Sequence, residues 1–316
     1  MAQFNPKLPD DSVNFSQESP LRDLVHLVTG VVGTIVILVF VVGFTLDLLI
    51  PLIPISVEQT LFSPVVDIFQ SDAKPSLENP LTDEDARRKL QQEKLEEILS
   101  NLVKQWPGAT YDFQIGISNF GGGDDEDAPP NAAAFPGGFI LVTPSLLEGA
   151  SSENEIAMVV GHELGHFRNR DHLRGLGKGL AFSLIMAALG TSATSDGVTA
   201  VAEFAGGLVV RSFNREQESQ ADEFGLSLVA GHYGHVAGTA VFFERVLEHE
   251  HGQGASGLKQ YFRTHRLSQN RIDAMKGLAQ EREWTFNRDV QLLPWSKPEQ
   301  PTDAPEDSES SEPSPE

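Results

Sequence analysis

The longest apolar run in the chain predicts a membrane-spanning helix near the N-terminus. Leu27 to Leu46 contains no charged residue and is rich in Val, Ile, Leu and Phe. A helix of about 20 residues rises about 30 Å, which matches the hydrocarbon core of a bilayer. The run is longer than the apolar core of a signal peptide, and no small-residue cleavage site follows it. We therefore expect a membrane anchor, closed by Pro51 and Pro54.

The charges on either side of this span predict its orientation. Lys7 and Arg22 precede it, whereas the first basic residue after it is Lys74. The positive-inside rule then places the N-terminus in the cytoplasm and the bulk of the chain on the other side of the membrane.

The spacing of apolar residues predicts a mixed α+β domain after the anchor. Ser152 and Glu155 form a capping-box pattern ahead of Ile156, Val159 and Val160, which predicts a helix. A second helix is predicted after Thr82, with a buried stripe at Leu95, Ile98, Leu99 and Leu102. Alternation from Tyr111 to Ile117 and the β-prone run Gly137 to Thr143 predict a small sheet beside the first of these helices. The second strand is an ordinary sheet strand or also has a free edge that pairs with an extended substrate, and the two roles are compatible.

A second apolar region, at 179–190 and 197–210, does not predict further membrane-spanning helices. Its first part is too short to cross a bilayer and its second part contains Glu203. We expect buried or membrane-skimming helices there.

Composition excludes several kinds of partner and chemistry. The net charge of −22 argues against a nucleic-acid partner, because phosphate binding needs a basic surface. The chain has no cysteine, which excludes disulfides, thiolate metal sites and a cysteine nucleophile. The predicted organisation is a polar tail at 1–23, an anchor at 24–50, a connector at 51–80, a catalytic domain at 81–296 and a disordered acidic tail at 297–316.

The chemistry of the chain centres on Gly161 to His166, which reads GHELGH. On a helix His162 and His166 lie one turn apart on the same face, so both imidazoles can hold one Zn²⁺ with Glu163 beside them. Glu218 and Asp222 have the same spacing on a later predicted helix. Glu218 can offer a third, carboxylate ligand, and Asp222 can accept a hydrogen bond from a liganding imidazole.

Another residue competes with Glu218 for the place of third ligand. His172 lies ten positions after His162, the spacing of zinc peptidases with three histidine ligands. Those enzymes also need a methionine-bearing turn beneath the metal, and Met186 and Met275 are poorly placed for one. Glu218 is therefore favoured.

Four ordered blocks make the chain resemble the membrane-associated zinc metallopeptidases that include HtpX and the CAAX prenyl proteases. The blocks are NAAAFPGGFILVT, HELGHFRNRDH, the pattern of Arg215, Glu218, Ala221 and Asp222, and THRLSQNRI, between Asn131 and Ile272. The resemblance implies a zincin-type domain with one Zn²⁺ held by His162, His166 and Glu218. It also implies that Glu163 is the catalytic base, that Asp222 supports a ligand, and that His265 or Arg271 stabilises the oxyanion. Either of the last two residues can instead form a salt bridge to the acidic helix.

Two positions depart from the pattern of that family. Ala133 follows Asn131 and Ala132 where members often have phenylalanine, and Arg266 follows His265 where they often have proline. The multi-span architecture of the prenyl proteases is also missing, so a single-anchor quality-control protease is the closer match.

The function that follows is hydrolysis of protein or peptide substrates by a membrane-anchored zinc endopeptidase. Two other classes remain open: a zinc-stabilised membrane chaperone or assembly factor, and a zinc amidase that acts on cell-wall peptides. Glu163 favours catalysis, because a structural zinc site is normally closed by a fourth protein ligand.

Overall fold

The computed structural model describes residues 20–73, 83–120, 128–175, 177, 213–250, 265 and 267–295. The predicted helices at 179–210 and the acidic tail at 297–316 lie outside the described residues, as does most of the polar N-terminal tail.

The described elements confirm the predicted α+β class, with helices predominating over one small sheet. The helices are α1 (Pro20–Leu49), α2 (Ile55–Ala73), α3 (Asp83–Lys104), α4 (Pro144–Gly149), α5 (Glu153–Asn169), α6 (Arg215–Tyr233), α7 (Val241–Glu250) and α8 (Gln269–Glu281), and the strands are β1 (Gln114–Ile117), β2 (Ala132–Phe135) and β3 (Phe139–Val142).

Helix α1 contains the predicted membrane span. Together with the 3₁₀ turn Ile50–Leu52 it is long and apolar enough to cross a bilayer. None of its own residues is buried by the rest of the protein, as expected for a helix whose surroundings are lipid. The helix begins earlier than the predicted anchor and ends at the expected prolines.

The sheet has the order β1-β3-β2, with β1 parallel and β2 antiparallel to β3. All four residues of β3 are buried, and both of its edges are paired. The prediction that Gly137 to Thr143 offers an open edge to a substrate is therefore wrong, and the alternative of an ordinary sheet strand is correct. Strand β2, which packs against α5, has an outer edge that no described strand pairs with.

The hydrophobic core lies between α3, the sheet, α5 and α6. The predicted stripe of α3 is buried, with Leu95, Ile98, Leu99 and Leu102 at most 5% exposed. Ile156, Val159 and Val160 of α5 join the same cluster. Helix α5 is thus the central element, covered on several sides.

Helices α5 and α6 cross in unusually close contact because small residues meet at the crossing. A Cβ atom built on Gly165 would lie 2.6 Å from Cα of Ala221, and one on Gly161 would lie 3.0 Å from Cα of Gly225. A Cβ on Gly225 would lie 2.8 Å from the backbone nitrogen of His162. No side chain larger than hydrogen fits at these glycines while the helices keep this separation.

The segment at 51–80, predicted as a connector, is mostly helical and contains a buried charged residue. Most of it is the helix α2, and Glu58 of that helix is buried against the catalytic domain with only 1% of its surface exposed. Surface connectors carry charges that face water, so the burial of this carboxylate was not expected from the sequence.

We expect Gly225→Ala to lower the free energy of unfolding by about 1–3 kcal/mol, because the added methyl group forces backbone apart at the crossing. The matched control is Gly277→Ala in α8, where a Cβ meets nothing within 4 Å. That change should raise stability by about 0.5–1 kcal/mol through lower backbone entropy. Chemical denaturation of the detergent-solubilised chain measures both. Equal effects of the two substitutions would show that the crossing tolerates a methyl group.

Candidate metal centre

Helix α5 presents the GHELGH motif from a rigid position. Its N-terminus has the predicted capping box, in which Glu155 Oε1 accepts a hydrogen bond from the backbone nitrogen of Ser152 at 3.1 Å. Every residue from Glu153 to Phe167 is buried. The motif therefore faces the interior of the domain, where its side chains have little freedom to move.

The two histidines of the motif meet through their Nε2 atoms, which lie 3.1 Å apart. The Nδ1 atom of His162 is 2.9 Å from Asp222 Oδ1, and that of His166 is 3.0 Å from Asp171 Oδ2. Because a carboxylate only accepts, each Nδ1 carries the proton and each Nε2 presents a lone pair. Two lone pairs that converge at this distance repel each other unless a cation lies between them.

The protonation of these histidines suits a metal site. Burial lowers the pKa of both His162 and His166, although the neighbouring carboxylates act in the opposite direction. Both imidazoles are therefore neutral at neutral pH, the form that binds metal.

Helix α6 brings Glu218 to the same point, as its spacing predicts. The Glu218 carboxylate is fully buried, 3.6 Å from Nε2 of His162 and 3.7 Å from Nε2 of His166. Burial alone would raise its pKa, but His265, His162 and Arg271 hold that pKa below the usual range. Glu218 is thus an anion that faces two nitrogen lone pairs.

His265 lies inside this cluster. Its Nδ1 is 3.1 Å from Nε2 of His162 and 3.3 Å from Oε1 of Glu218, while its Nε2 is 3.4 Å from Oε1 of Glu163. Burial lowers the pKa of His265, but Glu218 and Glu163 outweigh it and raise that pKa overall. The structure therefore adds a fourth donor to the three predicted from the sequence.

The donor set fits a zinc ion. One ligand atom each from His162, His166, Glu218 and His265 lies within 4.8 Å of all the others. Two nitrogen ligands at the zinc–nitrogen distance of about 2.0–2.1 Å in a tetrahedral site are separated by about 3.3 Å. The 3.1 Å between the Nε2 atoms is close to that value.

Glu163 supports the same conclusion. Both of its carboxylate oxygens are buried, and neither has a hydrogen-bond partner within the described residues. A buried carboxylate that accepts no hydrogen bond is costly, even with Nε2 of His265 3.4 Å away. A cation and a water molecule beside Glu163 would offset that cost.

Arg271 and His172 each form structural contacts with carboxylates. Arg271 donates to both oxygens of Asp222 at 2.8 Å and also forms an ion pair with Glu218. This is the salt bridge to the acidic helix that the sequence left as an alternative. His172 points away from the cluster, with its Nε2 2.9 Å from Oε1 of Glu58, so in this structure it does not compete with Glu218.

Sequence reasoning missed two residues that contact the histidines. Asp171 holds His166 and in turn accepts a hydrogen bond from Gln217 at 2.7 Å. Its position directly after the end of α5 was the available signal. Phe213 stacks on the ring of His166 with 3.9 Å between centroids. Nothing in the local pattern distinguishes Phe213 from other apolar residues.

Comparison with known proteins agrees with this geometry. The sequence model of the family described as Peptidase family M48 matches residues 90–279. The chain is 34% identical over 138 residues to the mitochondrial metalloendopeptidase OMA1 of Arabidopsis thaliana, over 43% of this chain and 26% of that protein. It is 35% identical over 113 residues to a protease HtpX homolog of Archaeoglobus fulgidus, over 30% of this chain and 33% of that protein.

A third relative is the metalloprotease LoiP of Escherichia coli, 31% identical over 133 residues, which are 40% of this chain and 51% of that protein. In each of these relatives the match covers about half of the protein or less. The likeness is therefore one of the catalytic domain, while the relatives' remaining parts have no counterpart in the comparison.

We expect Asp171→Asn to weaken zinc binding by about 10–100-fold, because the carboxylate that fixes the His166 tautomer is lost. Chelator competition with the purified chain measures the affinity. The exposed Asp273 of α8 provides the control, since Asp273→Asn should leave the affinity unchanged. Equal affinities for both variants would mean that Asp171 does not support a ligand.

Proposed function

We propose that this chain, which belongs to peptidase family M48, is a membrane-anchored zinc endopeptidase that acts in quality control of unfolded or membrane-associated proteins. The observation that carries the proposal is the buried cluster of His162, His166 and Glu218, beside the Glu163 carboxylate, which has no hydrogen-bond partner within the described residues. The chain spans less than two thirds of the length of these three relatives.

In this proposal His162, His166 and Glu218 hold one Zn²⁺. When bound, the ion supplies a Lewis acid that polarises the scissile carbonyl and makes water more acidic. Asp222 and Asp171 keep the proton on Nδ1 of each histidine, so that both Nε2 atoms stay available as ligands.

Glu163 is the proposed general base and acid. Its oxygens have no hydrogen-bond partner among the described residues, so they are free to accept a proton from the attacking water. The same carboxyl group then delivers that proton to the departing amine. His265 is proposed to stabilise the oxyanion, since it lies 3.4 Å from Glu163 and touches the ligand set.

The outer edge of β2 is the proposed docking place for the substrate backbone. An extended peptide can add to an open strand edge through main-chain hydrogen bonds. Strand β2 packs against α5, the helix that carries the histidines. This assignment replaces the central strand β3, whose edges are both occupied.

The proposed location follows from α1 and the flanking charges. Residues Leu27–Leu46 contact the bilayer, the N-terminus is cytoplasmic, and the catalytic domain lies on the opposite side. The proposed boundaries remain 1–23, 24–50, 51–80, 81–296 and 297–316, although Glu58 attaches the segment at 51–80 to the catalytic domain. A protease attached so closely to a membrane meets substrates at its surface.

The endopeptidase is favoured over a chaperone or a cell-wall amidase. A chaperone that only holds clients has no use for a buried glutamate without a hydrogen-bond partner beside a metal, because that carboxylate costs stability. The amidase would use the same centre, but the described relatives are named as endopeptidases and proteases.

We expect Glu163→Gln to lower kcat for casein or a quenched peptide by about 10²–10⁴-fold, because general acid–base catalysis is lost. Bound zinc, measured by metal analysis, should stay near one per chain, whereas Glu218→Ala should lose it. The exposed Glu216 of the same helix gives the control, since Glu216→Gln should change neither. Undiminished cleavage by Glu163→Gln would refute the assigned base, and a zinc-loaded wild type that cleaves nothing would favour the chaperone.

We expect His265→Ala to keep zinc and to lower kcat by about 10²–10³-fold, the usual loss when an oxyanion donor is removed. Steady-state kinetics and metal analysis on the same preparation separate the two effects. His232→Ala, at a half-buried position near the end of α6, serves as control. A rise in kcat would instead identify His265 as a fourth ligand that blocks the position of the water.

A further inference from the structure

Glu58 is a buried carboxylate that lies outside the metal cluster of His162, His166, Glu218 and His265 and outside the residues matched by the family model. It belongs to α2, the helix that follows the membrane span. Buried carboxylates are rare unless each oxygen is paired. Glu58 therefore has to be explained by the groups that surround it.

Four donors from different parts of the fold converge on this side chain. Oε1 accepts from the backbone nitrogen of Gly137 at 3.0 Å and from Nε2 of His172 at 2.9 Å. Oε2 accepts from the hydroxyl of Tyr111 at 2.8 Å and from the guanidinium of Arg170 at 2.7 Å. One carboxylate thus joins the turn between β2 and β3, the segment before β1 and the end of α5, the metal helix that carries His162 and His166.

These contacts keep Glu58 ionised. Burial alone would raise its pKa, but His172, Gly137 and Arg170 hold that pKa at about 2. The charge is consequently permanent at physiological pH, and its attraction to these donors is felt in a poorly solvated place.

Glu58 binds the two residues that flank Asp171 in the sequence. Arg170 precedes Asp171 and His172 follows it, and both side chains bind the same carboxylate. Arg170 ends α5 in the left-handed region with φ of 56°, a conformation that residues other than glycine seldom adopt. The ion pair with Glu58 helps to hold that turn, and the turn fixes where the Asp171 carboxylate points.

Asp171 in turn contacts the metal cluster through His166. Its Oδ2 lies 3.0 Å from Nδ1 of His166, and its Oδ1 accepts from Gln217 of α6 at 2.7 Å. A carboxylate that orients a liganding imidazole must be held in place by its own neighbours. For Asp171 those neighbours are Gln217 and the turn Arg170–His172, which Glu58 binds.

The same contacts reach the membrane span. Arg170 also donates to the backbone carbonyls of Ile50 and Ile53, in the turn where the span ends, with the first of these contacts at 2.9 Å. The end of the span, α2 and the end of the metal helix are therefore connected through Glu58 and Arg170.

We propose that Glu58 is a positioning residue for the metal site, which from the helix after the membrane anchor holds the turn Arg170–His172 so that Asp171 fixes His166. This inference rests on the proposed function, because it requires that His166 binds the metal. It adds that the membrane-proximal helix is part of the scaffold of the active site.

The test compares Glu58→Gln with wild type, using the full chain in detergent. The substituted amide places an N–H₂ group where two donors now converge, so at least two of the four contacts are lost. We expect cobalt and zinc affinity to fall about 10-fold or more, and the visible absorption spectrum of the cobalt form to change as His166 shifts. In the zinc form kcat should fall while KM stays within about twofold of the wild-type value.

Glu155→Gln is the matched control. Glu155 is also buried and charged, caps the other end of α5 and pairs with Arg245 at 3.0 Å. Its loss should lower the thermal midpoint while metal affinity and the cobalt spectrum stay as in wild type. Equal metal loss in both variants would show that Glu58 acts only through general stability, and would overturn the inference.

Further outcomes separate this inference from the proposed function. If wild type binds cobalt and Glu58→Gln has the same affinity and spectrum, this inference alone is refuted. If wild type binds no cobalt or zinc, the proposed function fails and the inference fails with it. Should Glu58→Gln not fold, Arg170→Lys takes its place, because lysine keeps the charge but cannot reach Glu58 and both carbonyls together. Unchanged metal affinity in Arg170→Lys would then count against the proposal.

Discussion

The close crossing of α5 and α6 is the constraint on which the metal centre depends. Gly161 and Gly165 on one helix face Ala221 and Gly225 on the other, and these pairs are each one turn apart. His162 and His166 directly follow Gly161 and Gly165, and Glu218 lies about one helical turn before Ala221. A wider crossing would move Glu218 away from both imidazoles, because a side chain of its length cannot span several additional ångströms. The glycines of GHELGH thus allow the close approach of the two helices that carry the proposed ligands.

Charge is the second constraint. Glu163, Glu218, Asp222 and Asp171 bring four carboxylates into one buried cluster, where Arg271 pairs with two of them and His265 lies against Glu163 and Glu218. The two motif histidines are held neutral by burial. An excess of buried negative charge is unfavourable in a medium of low dielectric constant. A divalent cation held by His162, His166 and Glu218 would offset that excess, so the unfavourable charge balance of the protein groups alone is what would favour metal binding.

The parts of this site that sequence could predict are those with a local period. His162 and His166 lie one helical turn apart, as do Glu218 and Asp222, and a helix must present each pair on one face. The capping box and the buried stripes placed the two central helices for the same reason. Phe213 and Glu58 escaped because their roles depend on contacts between residues far apart in the chain, whereas Asp171 is near His166 in sequence but lies beyond the end of α5, where helical spacing no longer predicts contacts. The order of strands in the sheet escaped too, since apolar composition alone does not distinguish β3 as a central strand from β3 as an edge.

The contact between the membrane segment and the metal helix changes how the anchor is understood. A flexible tether would only keep the domain near the bilayer, and its sequence would be free to vary in charge. Here a permanently charged, buried side chain follows the span by a few residues and binds the turn that ends the metal helix. The carbonyls at the end of the span bind the same arginine. Because these groups are paired, rotation of the span relative to the domain would break the contacts of Arg170 with Glu58 and with the carbonyls of Ile50 and Ile53. The end of the span is therefore joined to the end of α5 by specific side-chain contacts, and α2 is part of the same framework as the metal cluster rather than a free linker.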